Sequence, residues 1–135
     1  MVACAQHLRV LVVDDNSDTV ETTELLLRLW GHDVAVARNG PSALSAAAEH
    51  KPDVVLLDLA MPGMDGFKVA DAIRKIVVPC PHFIAVSGCG RPEDVARCLN
   101  EGFHCHCLKP VEPDRLQSML RQLTAMQESR HAMVM

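Results

Sequence analysis

The chain has 135 residues, of which 49% are hydrophobic and 22% are charged, and its formal net charge is −4 at pH 7. This length and apolar content predict one domain with a full hydrophobic core, and the mild acidity gives no reason to expect a nucleic-acid or membrane-surface partner. No apolar run is long enough to cross a membrane, and the first residues lack the basic and then apolar pattern of a secretory signal. We therefore expect a cytoplasmic protein whose six cysteines are thiols.

Hydrophobic patterning predicts strands and helices in alternation along the chain. Short apolar runs are typical of strands, and each following helix begins at a capping side chain or a proline. The predicted strands span residues 8–13, 33–37, 54–58, 82–87 and 103–108. The predicted helices begin near Asn16, Asn39, Asp65, Pro92 and Pro113, and a frayed tail is expected from about Gln127.

This alternation predicts an α/β fold with a parallel sheet and right-handed crossovers. The first, third and fourth strands are almost entirely apolar, as expected of strands that are buried on both faces. The connections are too short to contain a second domain. We therefore expect a single domain over residues 1–135, with its core at about 8–126 and short tails at both termini.

Polar residues stand where the predicted strands end. Asp14 and Asp15 follow the first strand and Asp58 ends the third. Ser87 ends the fourth strand and Lys109 follows the fifth. Because the carboxyl ends of parallel strands lie at the same end of a sheet, these side chains are expected to converge where open α/β sheets bind ligands. Three carboxylates in one place repel each other, and a hard cation such as Mg²⁺ (or Mn²⁺) would relieve that repulsion.

This set of residue types suits phosphoryl transfer. Asp58 is the candidate nucleophile, because a carboxylate can attack phosphorus and form an aspartyl phosphate. Asp14 and Asp15 would hold the metal ion. Ser87 would donate a hydrogen bond to one phosphoryl oxygen and Lys109 would pair with another. Helix capping could account for Asp14 or Asp15. It does not explain Asp58, Ser87 and Lys109 at the same end of the sheet.

The sequences VLVVDDN, VVLLDLAMPGMDG, IAVSG and LKP resemble the motifs of bacterial response-regulator receiver domains. The resemblance covers about residues 8–126, nearly the whole chain. It implies a flavodoxin-like (βα)5 three-layer sandwich with strand order 2-1-3-4-5. It also implies two-component signalling, in which a histidine kinase or a histidine phosphotransfer domain phosphorylates Asp58.

The same resemblance implies further properties of the site. Phosphorylation would change the face formed by the fourth helix, the fifth strand and the fifth helix. The Lys109–Pro110 peptide bond would be cis, which a bond before proline permits. The implied metal ligands are Asp14, Asp15, Asp58 and the main-chain carbonyl of Ala60.

Two longer segments, LLLRLWGHDVAVARNGPSAL and GFHCHCLKPVEPDRL, resemble receivers of hybrid sensor kinases and stand-alone chemotaxis-type regulators. The sequence leaves open whether the chain is a stand-alone regulator or a receiver excised from a hybrid kinase. It identifies neither the kinase nor the output. We expect a monomer or a weak dimer.

Three positions bear on how the switch works. His106 stands where receivers commonly have an aromatic side chain that changes rotamer. A histidine could swing inward and make the switch pH-dependent, but we favour a partly exposed residue of an edge strand. Ala60 and Cys89 lie two residues beyond Asp58 and Ser87, where receivers tune hydrolysis of the aspartyl phosphate. Since alanine cannot orient a water molecule, we expect a phosphorylated state that does not hydrolyse especially fast.

The sequence HCHC, at residues 104–107, suggests a metal site. In a strand, however, alternation places Cys105 and Cys107 on one face and the two histidines on the other. One face then offers two thiolates, fewer than the four ligands of a structural zinc site. We expect the cysteines to pack beneath a helix and the histidines to face outward or toward a partner.

Two other functions remain open from the sequence. One is a receiver-like interaction module that works without phosphorylation. The other is a phosphatase that forms an aspartyl phosphate, but such enzymes have a second aspartate two residues after the nucleophile, where this chain has Ala60. We therefore expect no enzymatic activity beyond self-phosphorylation from small donors and self-dephosphorylation.

Overall fold

The computed structural model describes residues 7–88 and 90–134, with the side chains of the last helix as far as residue 126. Strands and helices alternate along this part of the chain. The strands are β1 (Arg9–Val13), β2 (Asp33–Ala37), β3 (Val54–Asp58), β4 (His82–Ser87) and β5 (Cys105–Leu108). The helices are α1 (Ser17–Leu29), α2 (Gly40–His50), α3 (Gly66–Ile76), α4 (Pro92–Asn100) and α5 (Pro113–Val134).

The strands form one parallel sheet in the order β2-β1-β3-β4-β5. This confirms the predicted α/β class, the flavodoxin-like architecture and the strand order. The direction in which successive strands are added reverses after β2, so β3 lies on the opposite side of β1 from β2. Ligands bind at such a reversal in open α/β sheets, beyond the carboxyl ends of the strands.

Helices cover both faces of the sheet, and alternate side chains of each strand point to opposite layers. On one face, Leu11 and Phe83 pack with Ile73 of α3. On the other face, Val12 packs with Leu120 of α5. Burying each such side chain contributes roughly 1.5–3 kcal/mol of transfer free energy. With both faces covered, the ends of the strands are where polar side chains can collect.

Local sequence sets where the first three helices begin. The side chain of Asn16 accepts a hydrogen bond from the main chain of Thr19. Asn39 and Ser42 form a reciprocal capping box at the start of α2, and Asp65 caps α3. Each cap contributes about 1 kcal/mol by satisfying main-chain N–H groups that the helix leaves unpaired. The predicted helix starts at these residues are confirmed.

Two predicted boundaries are wrong. β5 begins at Cys105 and not at Phe103, because the main-chain N–H of Phe103 donates to the carbonyl of Cys98 and closes the end of α4. The frayed tail predicted from about Gln127 is a continuation of α5, which extends to Val134. Residues 127–134 contain no glycine or proline that would stop a helix.

Two peptide bonds before proline are cis. One is Lys109–Pro110, which the resemblance to receivers implies. The other is Val78–Pro79, which the sequence did not predict. Within residues 7–88 and 90–134, no helix is both long and apolar enough to cross a membrane.

Candidate functional site

Asp58 lies at the centre of the site, at the end of β3. Its side chain is buried, with 4% of the residue exposed. Oδ1 accepts a hydrogen bond of 2.9 Å from the main-chain N–H of Ala60, which is itself exposed. Oδ2 lies 2.8 Å from Nζ of Lys109. One oxygen is therefore held by the local turn and the other by a residue 51 positions away.

Asp14 directly follows β1 and is as buried as Asp58. Its Oδ1 accepts a hydrogen bond of 2.9 Å from the main-chain N–H of Asn16, and its Oδ2 lies 2.9 Å from Nζ of Lys109. The geometry repeats that of Asp58 on the neighbouring strand. In both cases a tight turn after the strand orients the carboxylate toward the same ammonium group.

Asp15 is exposed and completes a group of three carboxylates. One oxygen from each of Asp14, Asp15 and Asp58 lies within 4.8 Å of the other two. Within the part of the chain that the structure describes, these are the only three acidic, histidine or cysteine side chains that converge in this way. An all-oxygen donor set of this kind fits a hard divalent cation such as Mg²⁺.

Lys109 is the counterion of the two buried aspartates. Its main-chain N–H donates to the carbonyl of Ser87 at 2.9 Å, which fixes the chain at the end of β5. Burial alone lowers the pKa of the ammonium group. The hydrogen bonds and charges of Asp58 and Asp14 outweigh burial, so the pKa of Lys109 lies above its usual value. Lys109 is therefore charged at neutral pH and partly relieves the repulsion between the carboxylates.

Ser87 and His106 form the other half of the site. Ser87 is the last residue of β4 and is buried, and its Oγ lies 2.8 Å from Nε2 of His106 on β5. His106 is half-buried on the edge strand β5, which agrees with the predicted partial exposure, and it also contacts Ser87. The ring occupies an inward position, and its nitrogen makes direct polar contact with the hydroxyl group.

A cavity of about 560 Å³ opens beside these residues, between α1 and α5. Asp14, Asp58 and Lys109 lie at its polar end, and its walls are mainly apolar. Leu26 of α1 and Leu116 of α5 contribute to those walls. This cavity could not be predicted from the sequence, because its walls come from helices at opposite ends of the chain.

In the HCHC segment, the predicted packing of the two cysteines beneath a helix is confirmed, and one further contact was not predicted. Cys105 and Cys107 pack beneath α5. The ring of His104 lies 6.2 Å from the ring of His82, measured between centroids. The contact of Cys105 and Cys107 with a third sulfur, that of Met119, was not predicted. Cys4 and Cys89 lie outside the described residues.

Comparison with known proteins identifies the family to which the chain belongs. The family model of the response regulator receiver domain matches residues 10–121. The chain belongs to this family. The matched range includes the polar residues at the carboxyl end of the sheet, which are Asp14, Asp15, Asp58, Ser87 and Lys109.

Two individual relatives each match more than four fifths of this chain. Over 115 residues the receiver is 39% identical to the transcriptional regulatory protein PrrA of Mycobacterium tuberculosis, a match that covers 85% of this chain and 49% of PrrA. It is 35% identical over 120 residues to an uncharacterized 14.6 kDa protein of Leptolyngbya boryana, covering 86% and 89% of the two chains. The chain thus spans about half the length of PrrA and most of the length of the second relative.

A solved structure shows the same fold. The crystal structure of a CheY-like response regulator receiver domain protein from Methanospirillum hungatei JF-1 matches with a TM-score of 0.82. The match covers 90% of this chain and 97% of that one, at 26% sequence identity. The specific similarity to receivers of hybrid sensor kinases stays a prediction.

Proposed function

We propose that this receiver is the phosphoacceptor of a two-component phosphorelay and that Asp58 accepts the phosphoryl group from a histidine kinase or a histidine phosphotransfer domain. The observation that carries the proposal is the double contact of Lys109, whose Nζ lies within 2.9 Å of oxygens of both Asp14 and Asp58. Membership of the receiver family supports it. We propose a single receiver domain that acts as a monomer or weak dimer in the cytoplasm.

The attack would come from a carboxylate oxygen of Asp58 on the phosphorus of a phosphohistidine. The new O–P bond forms as the P–N bond breaks, and the histidine nitrogen leaves with the electron pair. The N–H of Ala60 holds one carboxylate oxygen, so the group enters the reaction already oriented. Because the carboxylate is ionised as it attacks, the receiver needs no general base.

The donor set would hold a divalent cation through Asp14, Asp15, Asp58 and the main-chain carbonyl of Ala60. When bound, Mg²⁺ or Mn²⁺ neutralises negative charge shared between carboxylates and phosphoryl oxygens. Lys109 would supply a second cation and pair with a phosphoryl oxygen. Its present partners are the two carboxylates, so on phosphorylation Lys109 would exchange a carboxylate oxygen for a phosphoryl oxygen.

Ser87 would couple phosphorylation of Asp58 to a structural change in the rest of the fold. Its hydroxyl now contacts His106, and a phosphoryl oxygen on Asp58 would compete for the same hydroxyl group. Release of the imidazole would alter the surface made by α4, β5 and α5. The change is a shift between two populated arrangements, favoured by the new contacts to phosphate.

Intact mass after brief incubation with Mg²⁺ and acetyl phosphate tests the proposal. We expect one added phosphoryl group per chain. Asp58→Ala and a chelator each remove it, while Asp71→Ala, at an exposed aspartate on α3, leaves it unchanged. Phosphorylation that persists in Asp58→Ala would contradict the assignment, and the absence of any adduct at early times would favour a module that acts unphosphorylated. Turnover of small phosphate esters would instead favour the phosphatase.

A further inference from the structure

Three sulfur atoms converge on the opposite side of β5 from His106. Sγ of Cys105 lies 3.1 Å from Sδ of Met119, and Sγ of Cys107 lies 3.3 Å from the same atom. Cys107 and Met119 are buried and Cys105 is half-buried. Two adjacent side chains of one strand and a third from α5 therefore place all their sulfur atoms around a single point.

We propose that Cys105, Cys107 and Met119 form a binding site for monovalent copper, Cu(I). Thiolate and thioether sulfur are soft ligands and favour soft cations such as Cu(I). Three sulfur ligands are a sufficient set for Cu(I), which accepts low coordination numbers. The site is separate from the carboxylates and does not depend on the proposed phosphoacceptor function.

Zinc and a disulfide fit the same residues less well. A structural zinc site takes four ligands, and among the described residues no histidine or carboxylate joins the two thiols in a metal-binding group. Residues two apart on a strand have Cα atoms about 6.7 Å apart, at the upper limit for a disulfide. The strand thus holds the two thiols near each other at a spacing that disfavours a disulfide bond between them.

The electrostatics of the cluster favour a thiolate at Cys107, whereas the hydrogen bond to Cys107 and burial raise the pKa of Cys105. A hydrogen bond between the two thiols lowers the pKa of Cys107, and Arg115 acts in the same direction against the opposing effect of burial. Two thiolates with Cu(I) carry one net negative charge, which the guanidinium group of Arg115 would balance. On binding, the two S–H protons pass to solvent and copper stays Cu(I), so no electron donor is required.

The cluster also has a route to solvent. Cys107 and Met119 both lie on the wall of the 560 Å³ cavity between α1 and α5. An ion that enters this cavity reaches two of the three ligands without separation of the strands. A buried packing cluster needs no such opening, so the cavity is what distinguishes a site from a core contact.

Competition between the reduced protein and a chromophoric Cu(I) chelator, without oxygen, tests the proposal. The starting variant replaces Cys4, Cys80 and Cys89 with serine and keeps Cys98, which is buried, so that Cu(I) bound by the three replaced thiols is not counted. We expect one Cu(I) per chain, with the ultraviolet absorption of copper–thiolate bonds. Cys105→Ser and Cys107→Ser are each expected to weaken binding by at least about a hundredfold, since each removes a ligand.

Met119→Leu keeps the shape of the side chain and removes only its sulfur, so a folding defect is not expected. It should weaken binding by roughly tenfold. Met126→Leu, at an exposed methionine of the same helix, is the matched control and should change nothing. Circular dichroism and the thermal midpoint check that each variant is folded.

Three results would overturn the proposal. The first is Cu(I) binding that is equal in Cys107→Ser and its parent. The second is Zn²⁺ binding that is tighter than Cu(I) binding and depends on the same three residues. The third is rapid formation of a Cys105–Cys107 disulfide in air, since it would show that the strand does not hold the thiols apart.

Discussion

Both ends of the sheet carry polar and titratable side chains, but these side chains find their partners in different ways. The amino end, where the strands begin, has His7, His32, Asp53, His82 and His104. The carboxyl end has Asp14, Asp15, Asp58, Ser87 and Lys109. At the amino end the hydrogen bonds run mainly to the main chain, whereas at the carboxyl end the polar side chains contact each other.

Two contacts show how the amino end is built. Nδ1 of His32 accepts a hydrogen bond of 3.0 Å from the main-chain N–H of Leu8. Oδ2 of Asp53 accepts one of 2.8 Å from the main-chain N–H of Arg9. Both bonds tie the start of β1 to a neighbouring strand. Each bond joins a side chain to the main chain at the start of β1, so it stabilises the fold.

The carboxyl end is built from groups that can change partners. Lys109 contacts two carboxylates, and Ser87 contacts a histidine that another strand supplies. Removing one member therefore leaves another charged or polar group with fewer partners, and the effects of substitutions are expected to be coupled. The difference between the ends separates residues that hold the fold from residues that can respond to a ligand.

The largest stability change is expected from Lys109→Met, which leaves two buried carboxylates without their ammonium group. We expect the free energy of unfolding to fall by about 3 kcal/mol, as when one partner of a buried ion pair is removed. Mg²⁺ should restore much of the loss, because it supplies the missing positive charge. Urea unfolding with and without Mg²⁺ measures both effects. Lys75→Met, at an exposed lysine of α3, should show neither.

A coupling of about 1 kcal/mol is expected between Ser87 and His106, the usual contribution of one hydrogen bond. It is measured by a double-mutant cycle of Ser87→Ala and His106→Phe, from the unfolding free energies of both single variants and the double variant. The coupling should shrink when the protein is phosphorylated, because the hydroxyl group then turns to phosphate. A coupling that phosphorylation leaves unchanged would contradict the proposed competition for Ser87.

Asp53→Ala should lower the free energy of unfolding by about 0.5 kcal/mol, less than Lys109→Met, because the hydrogen bond of Asp53 to the main chain is partly exposed to water. The cost should be the same with and without Mg²⁺. Thermal or urea unfolding of this variant beside Lys109→Met compares the two ends of the sheet directly. An equal response to Mg²⁺ in both variants would remove the distinction between the ends.

The smallest effect is a pH dependence from His32. Burial, and to a lesser extent the nearby His7, lowers the pKa of His32 in the folded protein below the ordinary value of 6.5. The unfolded chain then binds the proton more readily, so the stabilisation is complete above that value and is lost as the pH falls below it. Unfolding from about pH 7 to about pH 5 should show a shallower decline in His32→Gln than in the parent or in His104→Gln.

The sequence predicted the carboxyl end well because each residue there follows from a local rule. An apolar run that stops at Asp58 marks both a strand end and a candidate site residue. Parallel strands then bring such ends together without any knowledge of side-chain contacts. The same rule located Lys109, although 51 residues separate it from its partner Asp58.

Contacts that depend on how two distant elements pack were not predictable. The sulfur of Met119 contacts Cys105 because α5 packs against β5 at this position. The inward position of His106 depends on the hydroxyl group of Ser87, on another strand. Periodicity places a side chain on a face of the sheet, but the choice of partner on that face comes from tertiary packing.

The length of α5 has a mechanical consequence. The helix has 22 residues, which correspond to about 33 Å, whereas the four residues of β5 span only about 13 Å. Its first turn lies close to Lys109, and its far end extends well past the strand that precedes it. A tilt of about 5° at the first turn would displace the far end by roughly 3 Å. If Asp58 is phosphorylated as proposed, α5 would act as a lever that converts a small rearrangement at its first turn into a larger movement at its far end.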